Sequence, residues 1–319
     1  MENGEGTEEN TMKQLSTELY RNRYMDESDC LRENVKLWET GAEDCRLPQR
    51  STLSHKYSYG RALIISGCAG FSGAPVLAAN ACERSGAGVT RLMIPESIYP
   101  IAASRCDGAV VTPVASTEDG AISRTAAETI LSALRKADAC AIGPGLGLGK
   151  DTEAIVTSVI RKADCPLILD ADALTICGKN MELLSECSAP LILTPHEGEF
   201  RRLAGDLSAG RLAGALQFTA AFPNAILVLK GFGTLVCSGE DVSVNPTGSP
   251  AMAKGGSGDV LSGMLCALLA QGFEPLFAAR TAVYLHGLAG DLACAELGEY
   301  CVAPSDLIRH LPAAFHAVR

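Results

Sequence analysis

The feature that most constrains this chain is an alternation. From His55 onward, short apolar runs rich in β-branched residues are separated by longer Ala- and Leu-rich stretches. Continuous apolar runs of that length read as strands buried on both faces, and strands separated by helices imply a doubly wound, mostly parallel α/β sheet flanked by helices. The pattern predicts strands at residues 61–66, 89–94, 139–142, 167–170, 191–194 and 226–229. A hairpin should join 234–237 to 241–244. Helices are expected at 74–85, 124–136, 152–162, after Thr194, and at 207–222, 257–271, 278–297 and 305–315. A sheet of this kind takes its ligands beyond the C-terminal ends of its strands, so the loops there are where chemistry is sought.

Composition narrows the function classes. In 319 residues a 47% apolar content is enough for a sizeable single core, and no repeat or linker is visible after residue 50. The formal charge of −10 disfavours nucleic acid or an anionic membrane as a partner, while leaving room for a local basic pocket that takes phosphates. The thirteen cysteines include no CxxC pair and no zinc-like Cys/His spacing, so they read as small core residues in a reducing compartment. Residues 1–10 are acidic and polar rather than signal-like, and no apolar run reaches membrane-spanning length, so the cytosol is the expected location. Residues 1–50 are rich in Glu, Asp, Asn and Arg, with isolated apolar residues such as Leu31, Val35, Leu37 and Trp38. They read as an acidic, partly disordered extension that ends in a short docking helix, ahead of a domain at 51–319. A remnant of a further domain is the alternative. Ala-rich helices could equally pack against a second copy of the chain, and a homo-oligomer is expected.

The most informative segment is NPTGSPAMAKGGSGDVLSG at residues 245–263, a turn-rich stretch that runs through Gly256, Ser257 and Gly258 into an apolar helix. Glycines there let backbone N–H groups converge on a phosphate at a helix N-terminus, where the macrodipole also favours negative charge. Asp259 in that first turn has two readings. It either accepts a proton from an attacking hydroxyl during phosphoryl transfer, or it caps the helix. Spacing alone leaves both open. Asp170 and Asp172, two apart at the end of a predicted strand, should point to one face, as a metal or polar-network pair or as helix caps. The glycines at 67, 70 and 73 are spaced GxxGxxG, which is not the dinucleotide-binding fingerprint.

GGSGDVLSG resembles the C-terminal signature of ribokinase-like kinases, and the longer string resembles one branch of them, the ADP/ATP-dependent NAD(P)H-hydrate dehydratases. The branch's other motifs occur in order: GCAGFSGAP at 67–75, RSGAGVTRL at 84–92, IGPGLG at 142–147, LDADAL at 169–174, LTPHEGEF at 193–200, LKGFGT at 229–234, LLAQGFEP at 268–275 and YLHGLAGD at 284–291. The resemblance spans nearly everything from residue 52 onward. It implies that Asp259 is catalytic and touches substrate, that Ala74, Gly145 and His196 contact substrate with Gly147 behind, and that Lys230, Gly231, Phe232, Gly233, Thr234, Gly256, Ser257 and Gly258 bind the nucleotide.

The resemblance further implies that Glu199 acts indirectly, ordering water around a Mg²⁺ ion. Mg²⁺ usually keeps several waters, which makes an indirect carboxylate reasonable. ADP or ATP would be co-substrate, with ADP favoured by the likeness to bacterial members, and hydrated NADH or NADPH would be the substrate. An NAD(P)H-hydrate epimerase would be supplied by another protein. Two departures from the family pattern are Lys56–Tyr57 in place of a lysine-glycine pair and residues 248–252 in place of an asparagine-proline-glycine run. The rival expectations are a vitamin-precursor kinase, in which Asn is common where this chain has His196, and a non-catalytic nucleotide sensor.

Overall fold

The structure is a computed structural model that describes residues 35–204 and 207–319. One ten-stranded sheet runs through it. Its strands are β1 (Lys36–Glu39), β2 (Arg61–Ile65), β3 (Val89–Pro95), β4 (Val110–Val114), β5 (Ala139–Ile142), β6 (Leu167–Leu169), β7 (Leu191–Leu193), β8 (Ala225–Leu229), β9 (Leu235–Ser238) and β10 (Asp241–Val244). Their order is β1-β10-β9-β8-β7-β6-β5-β2-β3-β4. Every pair from β4 across to β8 is parallel, and β8–β9–β10 is an antiparallel meander. β5 and β6 are wholly buried, as a parallel sheet covered on both faces requires.

Helices cover both faces. On one lie α1 (Gly73–Arg84), α9 (Ser257–Ala270), α10 (Pro275–Leu297) and α11 (Pro304–Ala317). On the other lie α3 (Ala127–Leu134), α4 (Lys150–Lys162), α5 (Asp172–Lys179), α7 (Glu197–Ala204) and α8 (Arg211–Ala221), while the short α2 (Tyr99–Ala103) and α6 (Glu182–Ser185) follow β3 and α5. Helix α9 is the central one. Every residue from Val260 to Ala270 is buried, and α9 meets α1 so closely that a Cβ on Gly263 would lie 2.1 Å from the Ala78 carbonyl oxygen. Only glycine fits that crossing.

The chain order reverses between β2 and β5: β3 and β4 extend the sheet one way from β2, and β5 onward extend it the other. Such a switch point opens a crevice at the C-terminal strand ends. Here the turn after β2 and the turn after β5 are tied across it, with Gly67 N–H and the Ser66 hydroxyl both donating to the Pro144 carbonyl at 3.0 and 2.6 Å.

Two expectations are corrected. Residues 36–39 do not form a docking helix. They pair with β10 as a parallel edge strand, so the sheet begins before the division expected at residue 50. The hairpin's outer edge offers unpaired backbone groups that a short extended segment satisfies. Leu37 is buried, and the Trp38 indole N–H donates to Asp241 at 2.9 Å beneath the Arg280 guanidinium. The rest of the expected extension, residues 1–34, lies outside the described residues. Strand β4 was not anticipated, because Thr112 and Pro113 break its apolar run. A proline is tolerated there because β4 is the far edge of the sheet.

Candidate active site

The site is built where β6, β7 and β8 end and α9 begins. Strand β6 stops at Leu169, and Ala171 takes φ 48°, ψ −114°, a conformation that non-glycine residues rarely adopt. That turn separates the two carboxylates expected on one face. Asp170, 2% exposed, turns into the protein and accepts from Thr194 Oγ1 at 2.8 Å, Ser262 Oγ at 2.6 Å and Lys230 Nζ at 3.0 Å. Asp172 turns the other way and accepts from the Gly147 N–H at 2.8 Å, fixing the IGPGLG loop. The alternation of a strand fails because the strand has already ended. A buried carboxylate needs this kind of complete partnering, and Asp170 joins β6, β7, β8 and α9 at one point.

Lys230 follows β8, and its backbone N–H donates to the Pro195 carbonyl at 2.8 Å, which places its side chain beside the loop after β7. Burial pulls its ammonium down, but Asp170, Glu199 and Asp259 outweigh that and hold it above the usual lysine range. It therefore remains a cation. A Cβ on Gly258 would come within 3.2 Å of Lys230 Nζ, so the charge stands at the mouth of α9. Gly256 there has φ 102°, and the N–H groups of Gly256, Gly258 and Asp259 have no acceptor among the described residues. Free amides, a helix N-terminus and a lysine make an anion hole.

Asp259 sits in the first turn of that helix. Burial, and after it the charge of Asp170, push its carboxyl up to about 7, against the opposing pull of Lys230; Asp172 and Glu199 add to the rise. A carboxyl with that affinity for protons is suited to accept one near neutral pH. Below α9, His286 of α10 is 9% exposed, and burial lowers it to about 4. The ring is thus neutral, and Nε2 bonds the Ser257 carbonyl at 2.9 Å, bracing the anion hole from behind. His286 lies in the YLHGLAGD motif, whose local spacing does not reveal this role.

His196 and Glu199 form a reciprocal cap on α7. The His196 N–H donates to Glu199 Oε2 at 2.9 Å, and the Glu199 N–H donates to His196 Nδ1 at 3.2 Å. With Nδ1 accepting, Nε2 carries the proton on a half-exposed ring. Glu199 Oε2 lies 4.0 Å from Lys230, while Oε1 makes no hydrogen bond or ion pair among the described residues. The described residues contain no group of three metal-ligating side chains and so offer no metal cage of their own. One open carboxylate oxygen fits a Mg²⁺ that arrives on nucleotide phosphates and keeps its waters.

The remaining expected residues form two further groups. Gly145, at φ 59°, lies so close to Phe71 and Ala74 that an added Cβ would be 2.9 and 3.2 Å from their Cβ atoms, which puts Ala74 and Gly145 side by side at the switch point. The 230–234 loop is closed by Thr234 Oγ1 donating to the Gly231 carbonyl at 3.0 Å. It is also held by Arg211, which donates to the Phe232 carbonyl at 2.6 Å and the Leu229 carbonyl at 3.2 Å. Phe232 itself is 74% exposed. Arg211 was not anticipated; it starts a helix 18 residues before the carbonyl it holds, a distance no local pattern reports.

A mostly parallel sheet, glycine loops at its C-terminal edge and a helix-borne anion hole with an adjoining aspartate define the ribokinase-like class. A ribokinase-like superfamily protein from Enterococcus faecalis superposes with a TM-score of 0.79 over 91% of this chain and 98% of that one, at 27% identity. More specifically, the family described as NAD(P)H-hydrate dehydratase matches residues 62–313, and the chain belongs to that family. The ADP/ATP-dependent NAD(P)H-hydrate dehydratase of Bacillus subtilis, co-crystallised with ATP and Mg²⁺, is 32% identical with a TM-score of 0.75, covering 90% of this chain and all of that one. A bifunctional NAD(P)H-hydrate repair enzyme of Moorella thermoacetica is 38% identical over 274 residues, 84% of this chain and 52% of the relative. That of Gloeobacter violaceus is 42% identical over 77% of this chain and 48% of the relative. The chain therefore spans about half the length of the curated relatives it matches.

Proposed function

We propose that the protein dehydrates the S-epimer of hydrated NADH and NADPH at the expense of ADP or ATP, restoring the dihydronicotinamide. The observation that carries this reading is Asp259, a carboxyl raised to about 7 in the first turn of a helix that starts beside Lys230. The ring hydroxyl attacks the terminal phosphorus while Asp259 takes its proton, and the bond to the rest of the nucleotide breaks. The amides of Gly256 and Gly258, with Lys230, stabilise the charge that develops on the transferring group. Phosphate then departs as the ring nitrogen donates its electron pair, and loss of a proton from the neighbouring ring carbon completes the double bond. Phosphorylation matters because hydroxide is a poor leaving group and phosphate a good one.

Mg²⁺ bound to the nucleotide would neutralise phosphate charge, with Glu199 positioned to order its waters. Ala74, Gly145 and His196 bind the hydrated nicotinamide nucleotide, and the 230–234 loop binds ADP or ATP. An enzyme that interconverts the two epimers is the functional partner, and the cytosol is the location. Among the described residues no helix is long and apolar enough to cross a membrane.

The test is to incubate S-hydrated NADH with ADP or ATP and Mg²⁺ and follow the dihydronicotinamide absorbance together with phosphate release. Recovery of the chromophore with equimolar phosphate, abolished in Asp259→Asn, supports the reading. A stable phosphorylated product from a vitamin precursor, or near-normal turnover in Asp259→Asn, overturns it.

A further inference from the structure

A second cavity lies at the opposite end of the sheet, between the segment that precedes β2 and the C-terminal ends of α1, α9 and α11. Its volume is about 1200 Å³. Helix α9 has 14 residues, so this cavity stands about 20 Å from the anion hole. Its charge is the reverse of the chain's. Against a formal charge of −10, the described residues that line it include Arg50, Arg84, Arg319 and His316 and no Asp or Glu.

The fold accounts for one of these arginines. Arg50 donates through Nη2 to the Gly86 carbonyl at 2.6 Å and to Gln271 Oε1 at 2.7 Å, and its guanidinium lies 3.8 Å over the Tyr59 ring. It caps the carbonyls beyond α1, as a cation at a helix C-terminus should. The side chains of Arg84 and Arg319 make no hydrogen bond or ion pair among the described residues.

We propose that this cavity binds a phosphorylated small molecule. Guanidinium forks are the side chains best matched to phosphate oxygens, and Arg84 and Arg319 stand exposed on the cavity wall. The volume is of the order that takes a nucleotide-sized ligand. Phe273 and Phe315 line the remainder and give its apolar part a surface. The site rests on the cavity alone and is independent of the dehydratase reading.

The test uses the full chain with its active site saturated by a non-hydrolysable ATP analogue and Mg²⁺, titrated calorimetrically with inorganic tripolyphosphate. One further site is expected, weakened at least tenfold in Arg84→Ala/Arg319→Ala while turnover on hydrated NADH stays within twofold of the unaltered protein. Arg84→Gln/Arg319→Gln, which keeps most of the side-chain volume, serves if the alanine variant does not fold. Absence of a second binding event, or unchanged affinity in the double variant, overturns the proposal. So does sedimentation equilibrium showing a dimer that Arg84→Glu dissociates, since the cavity would then belong to an interface between copies.

Discussion

At the C-terminal edge of the sheet, Asp170, Lys230, Glu199 and His196 meet one another at 3.0 to 4.0 Å, inside a network that also takes in Thr194 and Ser262. At the N-terminal edge, Arg84 and Arg319 line an open cavity and make no hydrogen bond or ion pair among the described residues. The first arrangement couples function to folding, because each buried charge is tolerated only by virtue of the others. The second leaves function separable from folding, because exposed cations need no partner to be stable. Substitutions at the two ends should therefore differ in kind.

The largest effect is expected at Asp259. Asp259→Asn should lower turnover by about 10²- to 10⁴-fold, the usual contribution of a positioned proton acceptor, with circular dichroism unchanged. Next is Lys230→Met, which strands the buried Asp170 carboxylate and should cost about 3–5 kcal/mol in urea unfolding, partly recovered by adding Asp170→Asn. A Lys230→Met protein as stable as the original would show that the pair is not coupled.

The pH dependence sharpens the same point. If Asp259 works as a base, kcat/KM should rise with pH and level off above about 7. Its folded-state affinity for protons exceeds that of an unfolded aspartate near 3.9, so its contribution to stability is full below about pH 4 and lost as pH rises through about 7. Asp259→Asn should accordingly gain stability over the unaltered protein at pH 8 and lose that advantage at pH 4. Thermal melts at both pH values decide it.

A smaller change is expected at His286. Removing it takes one of the hydrogen bonds from the Ser257 carbonyl, about 0.5–1.5 kcal/mol, and His286→Gln should recover part of that in the same melts. Its ring stays neutral down to about 4 when folded but takes a proton near 6.5 when unfolded, so its share of stability falls as pH drops through that window. The smallest effect should come from Arg84→Ala/Arg319→Ala, with melting unchanged within about a degree, as for surface changes away from buried features. A large loss there would erase the contrast between the two ends.

How much of this was legible in the chain depends on how local the cause is. The central strands β2, β5 and β8 announced themselves because burial on both faces leaves continuous apolar runs. The edge strands β1 and β4 did not. One sits in an otherwise polar segment and the other contains Pro113, and both exist because a neighbouring edge accepts them. In the site, the glycines and Asp259 stood out because a turn into a helix is a local event. The role of Asp170 did not, since its partners come from 24, 60 and 92 residues away, and an unexpected φ at Ala171 turns Asp172 elsewhere. The bracing of Ser257 by His286 is likewise a contact across 29 residues.

Helix α9 carries a consequence for motion. Apolar neighbours surround it from Val260 to Ala270, and at Gly263 its backbone touches that of α1. A rod seated in this way cannot tilt or slide without opening gaps through a close-packed interior. The anion hole and Asp259 are thus fixed points, and whatever rearranges as substrates enter and leave must be the exposed rim, where Phe71 and Phe232 stand out into solvent. Movement at those loops would leave α9 and the groups it carries where they stand.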